Sequence, residues 1–303
     1  MKIGIVLVNY NQNEKTWDCL DSLSQVDKEG FSVEIFVVDN NSNPPLENKD
    51  KEYKNLEIKV IRNGENLGFA QGSNVGIKQA LENGDEYILI LNNDTTLDKN
   101  FLIKLLKAFK DISVGIASPK IYFSKGREFH KDRYEEKDLG KVIWYAGGIL
   151  DMGNVLASHR GVDEVDRGQF DKVIETDFAT GCCMLVKKEV FEKIGLFDGK
   201  YFLYLEDLDF SQRAKRAGFK IVFEPSSIIW HYNAASTGGS GSNLQDYFIA
   251  RNRMLFGMKY ASLRTKLALI RESLSLAISG RKWQKVGIRD FYIGRFGKGS
   301  FNL

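Results

Sequence analysis

Tyr87-Ile88-Leu89-Ile90-Leu91-Asn92-Asn93-Asp94 is a run of large apolar side chains that stops abruptly at three polar ones. A short, almost wholly apolar run predicts a strand, and the polar triplet behind it is placed at a sheet edge facing a cleft. The same signature occurs three times upstream. Lys2 to Val8 ends at Asn9-Tyr10-Asn11, Val33 to Val38 at Asp39-Asn40-Asn41-Ser42, and Ile58 to Ile61 at Arg62-Asn63. Helical spacing follows the first run at Trp17, Leu20 and Leu23. Strands that alternate with helices and carry polar residues just past their ends describe an α/β fold whose ligands sit beyond the carboxyl ends of the strands.

Asn66 to Gly76 enters a helix through three glycines spaced by four, Gly68, Gly72 and Gly76. Neither GxGxxG nor GxxxxGK[ST] is present, which argues against NAD enzymes and P-loop kinases. Close helix-to-sheet packing is the plain reading of Gly76. A helix is expected from Leu97. Past Pro119 the alternation breaks, and the charged stretch Ser124 to Lys141 is expected to be a mobile loop. Ile143 to His159 reads as a hairpin, Thr180 to Val186 as a strand and Lys188 to Ile194 as a helix. Asp207 opens a helix that Gly218 closes; two strands, Phe219 to Phe223 and Ile228 to Trp230, then lead to His231.

The 303 residues are 43% hydrophobic and 12% aromatic with a net charge of +3, which excludes wholesale disorder and argues against a nucleic-acid partner. Cys19, Cys182 and Cys183 suggest neither a disulfide framework nor a zinc site. No leader pattern or membrane-spanning run is visible, so a reducing, cytoplasmic setting is expected. Charge is uneven: from Arg251 to Leu303 there are twelve Lys or Arg against two acids, Glu272 and Asp290. Leu267 to Ile278 has helical apolar spacing within that stretch, as in a basic helix lying on an anionic bilayer surface or in a helical dimer contact.

Three carboxylates, Glu206, Asp207 and Asp209, stand among Phe202, Tyr204, Leu205 and Phe210. The helix dipole accounts for one or two acids at a helix start. Partial desolvation in such company raises a carboxyl pKa and makes a better general base. Asp94 offers oxygen to Mg2+ or Mn2+, or else begins an Asx-turn. His231 lies near the same cleft, and the Ser236 to Gly241 loop is able to close on phosphates through its backbone N–H groups. The set reads as a metal-assisted transfer site.

In order and spacing, these stretches resemble the inverting family 2 glycosyltransferases of GT-A fold, especially the rhamnosyltransferase-like branch. The likeness runs from Val6-Leu-Val-Asn-Tyr-Asn11 through Val37 to Ser42, Asn66 to Asn74, Leu91 to Asp94, Gly181, Gly195 to Asp198, Phe202 to Asp209 and Trp230-His231, ending at Thr237. The resemblance implies a mixed sheet flanked by helices, a dTDP- or UDP-linked sugar donor, a divalent metal (Mn2+ or Mg2+) and inversion at the anomeric carbon. By motif position, Asp39 binds the base, and Asn9, Asn11, Asn66, Gly68, Asn92 and Asn93 line the nucleotide. Asp94 and His231 hold the metal. Asp207 is the catalytic base, while Trp144, Glu206 and Asp209 face the acceptor. Asn92 stands where the family often has Asp, which leaves the metal to Asp94, His231 and the donor's phosphates. Trp144 to Gly148 and His159 to Gly161 resemble the branch that uses dTDP-L-rhamnose.

The expected organisation is a GT-A domain over residues 1–240, with a nucleotide-sugar half to 118 and an acceptor half from 119. A basic helical region over 241–303 follows, for membrane-surface attachment or a homodimer contact. A glycan or polyprenyl-linked acceptor in cell-surface polysaccharide synthesis fits that region. Among the alternatives, a nucleotidyltransferase lacks a basic loop before Lys15, and a glycosidase has no use for Asp39 and Asp94. A non-catalytic sugar-binding protein predicts that Asp207 is dispensable.

Overall fold

A computed structural model describes residues 1–47, 53, 55–233 and 241–301. Four parallel strands form its first half: β1 (Lys2–Asn9), β2 (Ser32–Asp39), β3 (Glu57–Arg62) and β4 (Tyr87–Asn92), side by side in the order β3-β2-β1-β4. Alternation along β1 decides which helix each face receives. Ile3, Ile5 and Leu7 pack with Trp17, Leu20 and Leu23 of α1 (Asn13–Ser24), whereas Val6 joins Ala70 and Ile77 of α2 (Gly68–Glu82). The glycine spacing acts here: a Cβ at Gly76 would stand 2.5 Å from Val6 Cγ1, and one at Gly72 2.7 Å from Asn40 Nδ2. The helix therefore lies directly on the sheet, with its N-terminus at the carboxyl end of the strands.

After Asp94 the chain makes β5 (Thr95–Leu97), and α3 (Phe101–Leu106) starts four residues later than the helix expected from Leu97. Next comes β6 (Val114–Phe123), buried along its whole length. It crosses position 118/119, so the expected halves share one sheet. The segment Ser124 to Lys141, expected to be mobile, is laid against the body. Phe129 meets Phe123 edge-on at 4.8 Å, Glu128 accepts from Gly140 N, and Tyr134 donates to Asp163. The expected 143–159 hairpin divides: β7 (Ile143–Tyr145) pairs with β6, and only β8 (Gly148–Asp151) and β9 (Leu156–His159) pair with each other.

β10 (Ile174–Glu175) edges the large sheet, and β11 (Cys183–Lys187) sits antiparallel between β4 and β6. α4 (Lys188–Ile194) and α5 (Glu206–Arg216) cover the α2 side. The two strands expected between 219 and 230 are one, β12 (Lys220–His231), with an irregularity at Glu224-Pro225-Ser226 that sequence reading took for a break. The C-terminal helices α6 (Asn243–Tyr260), α7 (Leu263–Ser279) and α8 (Lys282–Tyr292) share the main core through Met254, Phe256, Leu269 and Ile288.

Candidate active site

Parallel register lines the polar strand ends up. Asn9 pairs with Asp39, Asp39 with Arg62, and Val8 with Asn92. Asn9 is buried and joins the loops: its amide donates to Asn13 and Ser42, and its oxygen accepts from Thr16. Asn93 donates to the same Thr16. Asn11 accepts from Asn43 N and donates its own N–H to Ser42. Asp39 accepts from Ser42 N, Asn9, Leu46 N and Arg62. Four donors fill the roughly four lone-pair sites of a carboxylate, so Asp39 holds the loops and Arg62 is the group at its outer side. Asn66 accepts from Gly68 N, and the Asn40 amide donates to Gly68 O. Gly68 has φ +75°, and a Cβ there would lie 2.5 Å from Phe202 O.

Asp94 and His231 are far apart in sequence and adjacent in space, because β5 runs antiparallel to β12 and places Thr95 opposite His231. His231 Nε2 stands 3.1 Å from Asp94 Oδ1. Two cis donors of an octahedral ion with bonds of about 2.1 Å are about 3 Å apart, so this pair fits a hard divalent cation. His231 Nδ1 is buried without a hydrogen-bond partner, an orphan whose ring is held instead by the edge of Trp144, 4.6 Å between centroids. Trp144 also touches His159, whose burial pushes its pKa down to about 4 and keeps it neutral. Among the described residues no group of three or more His, Cys, Asp or Glu side chains suits a metal. Remaining ligands would come from donor phosphate and water.

The acidic segment divides its three carboxylates. Asp209 is fully buried and takes Arg213, Lys259 and Tyr260. Burial pushes its carboxyl up, but these donors outweigh burial and hold it below the usual range. It has no surface left for an acceptor, contrary to expectation, and ties α5 to α6. Glu206 is also buried, Oε2 has no partner, and burial with the neighbouring Asp207 charge raises its pKa well above the ordinary value. Asp207 alone is half-buried. Its two oxygens accept from Gly181 N at 2.9 Å and Leu208 N at 2.8 Å. Burial raises its pKa too, though those N–H groups moderate the rise. Burial without a partner for Oε2 favours the neutral form at Glu206, while the two N–H donors favour the charged form at Asp207.

Cys182 lies near both Asp207 and Asp94. Its carbonyl accepts from Asn92 N, and it follows Gly181, which holds Asp207. Burial raises its thiol pKa, and the negative charges of Asp94 and Asp207 both add to that rise. Asp94 and Asp207 thus both lie near one buried thiol.

Sequence reasoning missed the support of this loop. Phe202, Tyr204 and Leu205 have φ of +63°, +69° and +68°, a left-handed region costly to bulky residues. Asn252 donates to the carbonyls of Tyr201, Leu203 and Tyr204, and the buried Arg251 donates to those of Lys200, Tyr201 and Gly297. Both come from the basic stretch read as surface. Lys15 and Arg127 were also missed; they flank the ring of Tyr232 beside His231, at 3.5 and 4.2 Å from its centroid. The Ser236 to Gly241 loop lies outside the described residues up to 240, and Gly241 N donates to Gln245.

The family model described as "Glycosyl transferase family 2" matches residues 4–195. The chain belongs to that family. This family 2 glycosyltransferase is 27% identical over 254 residues to a low-salt glycan biosynthesis hexosyltransferase of Haloferax volcanii, covering 84% of this chain and 74% of that one. It is 25% identical over 229 residues to a dTDP-rhamnosyl transferase of Shigella flexneri, covering 76% and 68%. A 59-residue stretch is 42% identical to an N-acetylglucosaminyl-diphospho-decaprenol L-rhamnosyltransferase of Mycobacterium tuberculosis, 20% of this chain and 19% of that one. Among solved structures, GalNAc-T7 with UDP, GalNAc and Mn2+ aligns with a TM-score of 0.66 at 18% identity, over 96% of this chain and about half (54%) of that one. The fold is GT-A, with the mixed sheet and flanking helices expected from the sequence.

Proposed function

We propose that this glycosyltransferase moves L-rhamnose from a dTDP-linked donor to a hydroxyl of a lipid-linked glycan, with inversion, on the cytoplasmic face of a membrane. The observation that carries the reading is Asp207, the half-buried carboxylate held by two backbone N–H groups and near the same buried thiol as Asp94, the partner of His231. Rhamnosyl relatives favour the donor, and the decaprenol-linked relative favours the acceptor class.

Asp94 and His231 would hold a divalent cation, which supplies positive charge for the diphosphate as it leaves. Lys15 and Arg127 add positive charge at the same end. Asn9, Asn11, Asn66, Asn92 and Asn93 shape the nucleotide side. From the opposite side Asp207 takes the acceptor hydroxyl proton as the hydroxyl oxygen bonds to the anomeric carbon, while the bond to the diphosphate breaks. Trp144 forms a wall beside His231, and Glu206 lies behind the base.

The test measures free nucleotide released from dTDP-, UDP- and GDP-sugars with Mn2+, Mg2+ or chelator, with and without lipid-linked acceptor. Metal-dependent release from dTDP-rhamnose alone is the expected result. Preference for a UDP-sugar overturns the donor, and binding without turnover favours a sugar-binding protein.

Two outcomes follow from the geometry. Asp94→Ala removes one of the two protein ligands, and kcat/KM falls roughly 100-fold with a large rise in the metal concentration needed; a metal titration unchanged in the variant removes Asp94 from the site. Rate also depends on ionised Asp207. Because its pKa is raised, the acid limb of the kcat/KM profile has its midpoint above the ordinary aspartate value of about 3.9. A limb centred at or below that value excludes this carboxylate as base.

A further inference from the structure

We infer that the outer face of α7 is a docking surface for an anionic lipid bilayer. It supplies a partner for the proposed reaction but is tested without it.

The inner face of α7 is packed: Thr265, Leu269 and Ser273 are buried, Leu269 against Gly257 of α6, and Glu272 pairs with Arg253. On the other side Leu263, Leu267, Leu274 and Ile278 are 74%, 60%, 57% and 80% exposed. At about 100° per residue these four and the half-buried Ile270 fall within an arc of about 80°. The Tyr292 and Ser273 hydroxyls are 2.7 Å apart, which ties the end of α8 to the inner face of α7. Four of the thirteen large apolar side chains exposed among the described residues thus gather on one face of α7.

Charge selects the occupant. By the same helical spacing Arg264 and Arg271 flank the stripe on one side and Lys266 on the other. Among the described residues none of the three makes an ion pair, and the helix's only acid, Glu272, lies on the side of the helix away from the stripe and pairs with Arg253. A two-fold seam between copies of this chain would set these cations against one another. Anionic headgroups neutralise them, while the leucines and isoleucine reach the acyl boundary and the long basic stems stay at headgroup level. No helix among the described residues is long and apolar enough to cross a membrane, so α7 lies along the surface.

The experiment is cosedimentation of the full chain with phosphatidylcholine vesicles made with or without phosphatidylglycerol, at low and high salt. Binding is expected only with the anionic lipid and weakens with salt. Leu267→Glu/Leu274→Glu lowers the partition coefficient by at least roughly tenfold. Arg264→Gln/Arg271→Gln lowers it about fivefold per cation removed. Circular dichroism and nucleotide release in solution stay as in the parent, since these side chains project outward. Vesicle binding by the parent that is absent, or undiminished in both variants, overturns the proposal. So does sedimentation velocity showing a dimer that Leu267→Glu/Leu274→Glu dissolves. Vesicle binding without any sugar transfer overturns the proposed reaction and leaves the docking surface standing.

Discussion

Asp207→Asn lowers kcat about 10³- to 10⁴-fold, with donor affinity within a factor of about three of the parent, since the proposed general base is lost and the proposed nucleotide side is untouched. Asparagine keeps the size of the side chain but only one acceptor oxygen, so one of the bonds to Gly181 N and Leu208 N is lost. Relief of a desolvated charge offsets that loss, and the midpoint of urea unfolding moves little. Glu206→Gln is the control that separates the two neighbouring acids. Glu206 is buried, and burial with the neighbouring Asp207 charge raises its pKa well above the usual range, which favours its neutral form. An amide reproduces that state, and turnover stays within about tenfold of the parent. Because the Glu206 pKa is raised by burial, the parent loses stability as pH climbs from the ordinary glutamate value of about 4.3 up to the raised one, and Glu206→Gln does not. Kinetics reversed between the two variants would move the base to Glu206 and require this loop to open during turnover.

Sequence legibility followed the length of each apolar run. The strand ends at Asn9, Asp39 and Asn92 were readable because runs of buried side chains stop there, and in-register parallel pairing then aligns those ends. That Asp94 and His231 share a cleft was readable from the strand ends, and their partnership at one metal was implied by family likeness. Its physical cause is the short β5, three residues long and missed because a strand that brief has no periodicity. β6 was hidden by its own core chemistry. Gly115 is small because Val190 and Phe219 press on it, and Lys120 is buried between Asp166 and Asp171, so the strand does not read as apolar. Asp39 shows the converse failure: its place at a strand end was legible, but the donors that saturate it arrive from three separate segments. Arg251 and Asn252 were the least legible, because cations in a basic stretch are usually solvated. What distinguishes this arginine is that its guanidinium faces backbone carbonyls inside the protein.

Removing that support has the second large effect. Each residue held at positive φ in the 202–205 turn costs about 1–3 kcal/mol relative to ordinary backbone, and such strain persists only where surrounding contacts over-determine it. On one side the turn is held by Ala70 N donating to Phe202 O and by the close approach of Gly68. Phe202 stacks on Phe248 of α6 at 5.1 Å, and Asn252 and Arg251 supply the remaining donors. Arg251→Ala leaves the carbonyls of Lys200 and Gly297 without their guanidinium donor and opens a void at a fully buried position. The expected loss is about 3–5 kcal/mol of unfolding free energy, read by urea titration. Asn252→Ala is the informative variant because it is smaller. It removes the donor to three carbonyls for about 1–3 kcal/mol and lets the turn relax, displacing Asp207, which begins two residues after Leu205. A misplacement near 1 Å is enough for roughly 100-fold in kcat. Donor affinity is retained, because Asn9, Asp39 and Arg62 are tied to one another and not to α6. Asn252→Asp presents an acceptor to three acceptors and loses more than alanine in both stability and kcat. If Asn252→Ala loses stability but keeps kcat, the α2 side alone fixes the turn, and α6 is a buttress of the fold with no part in placing the base.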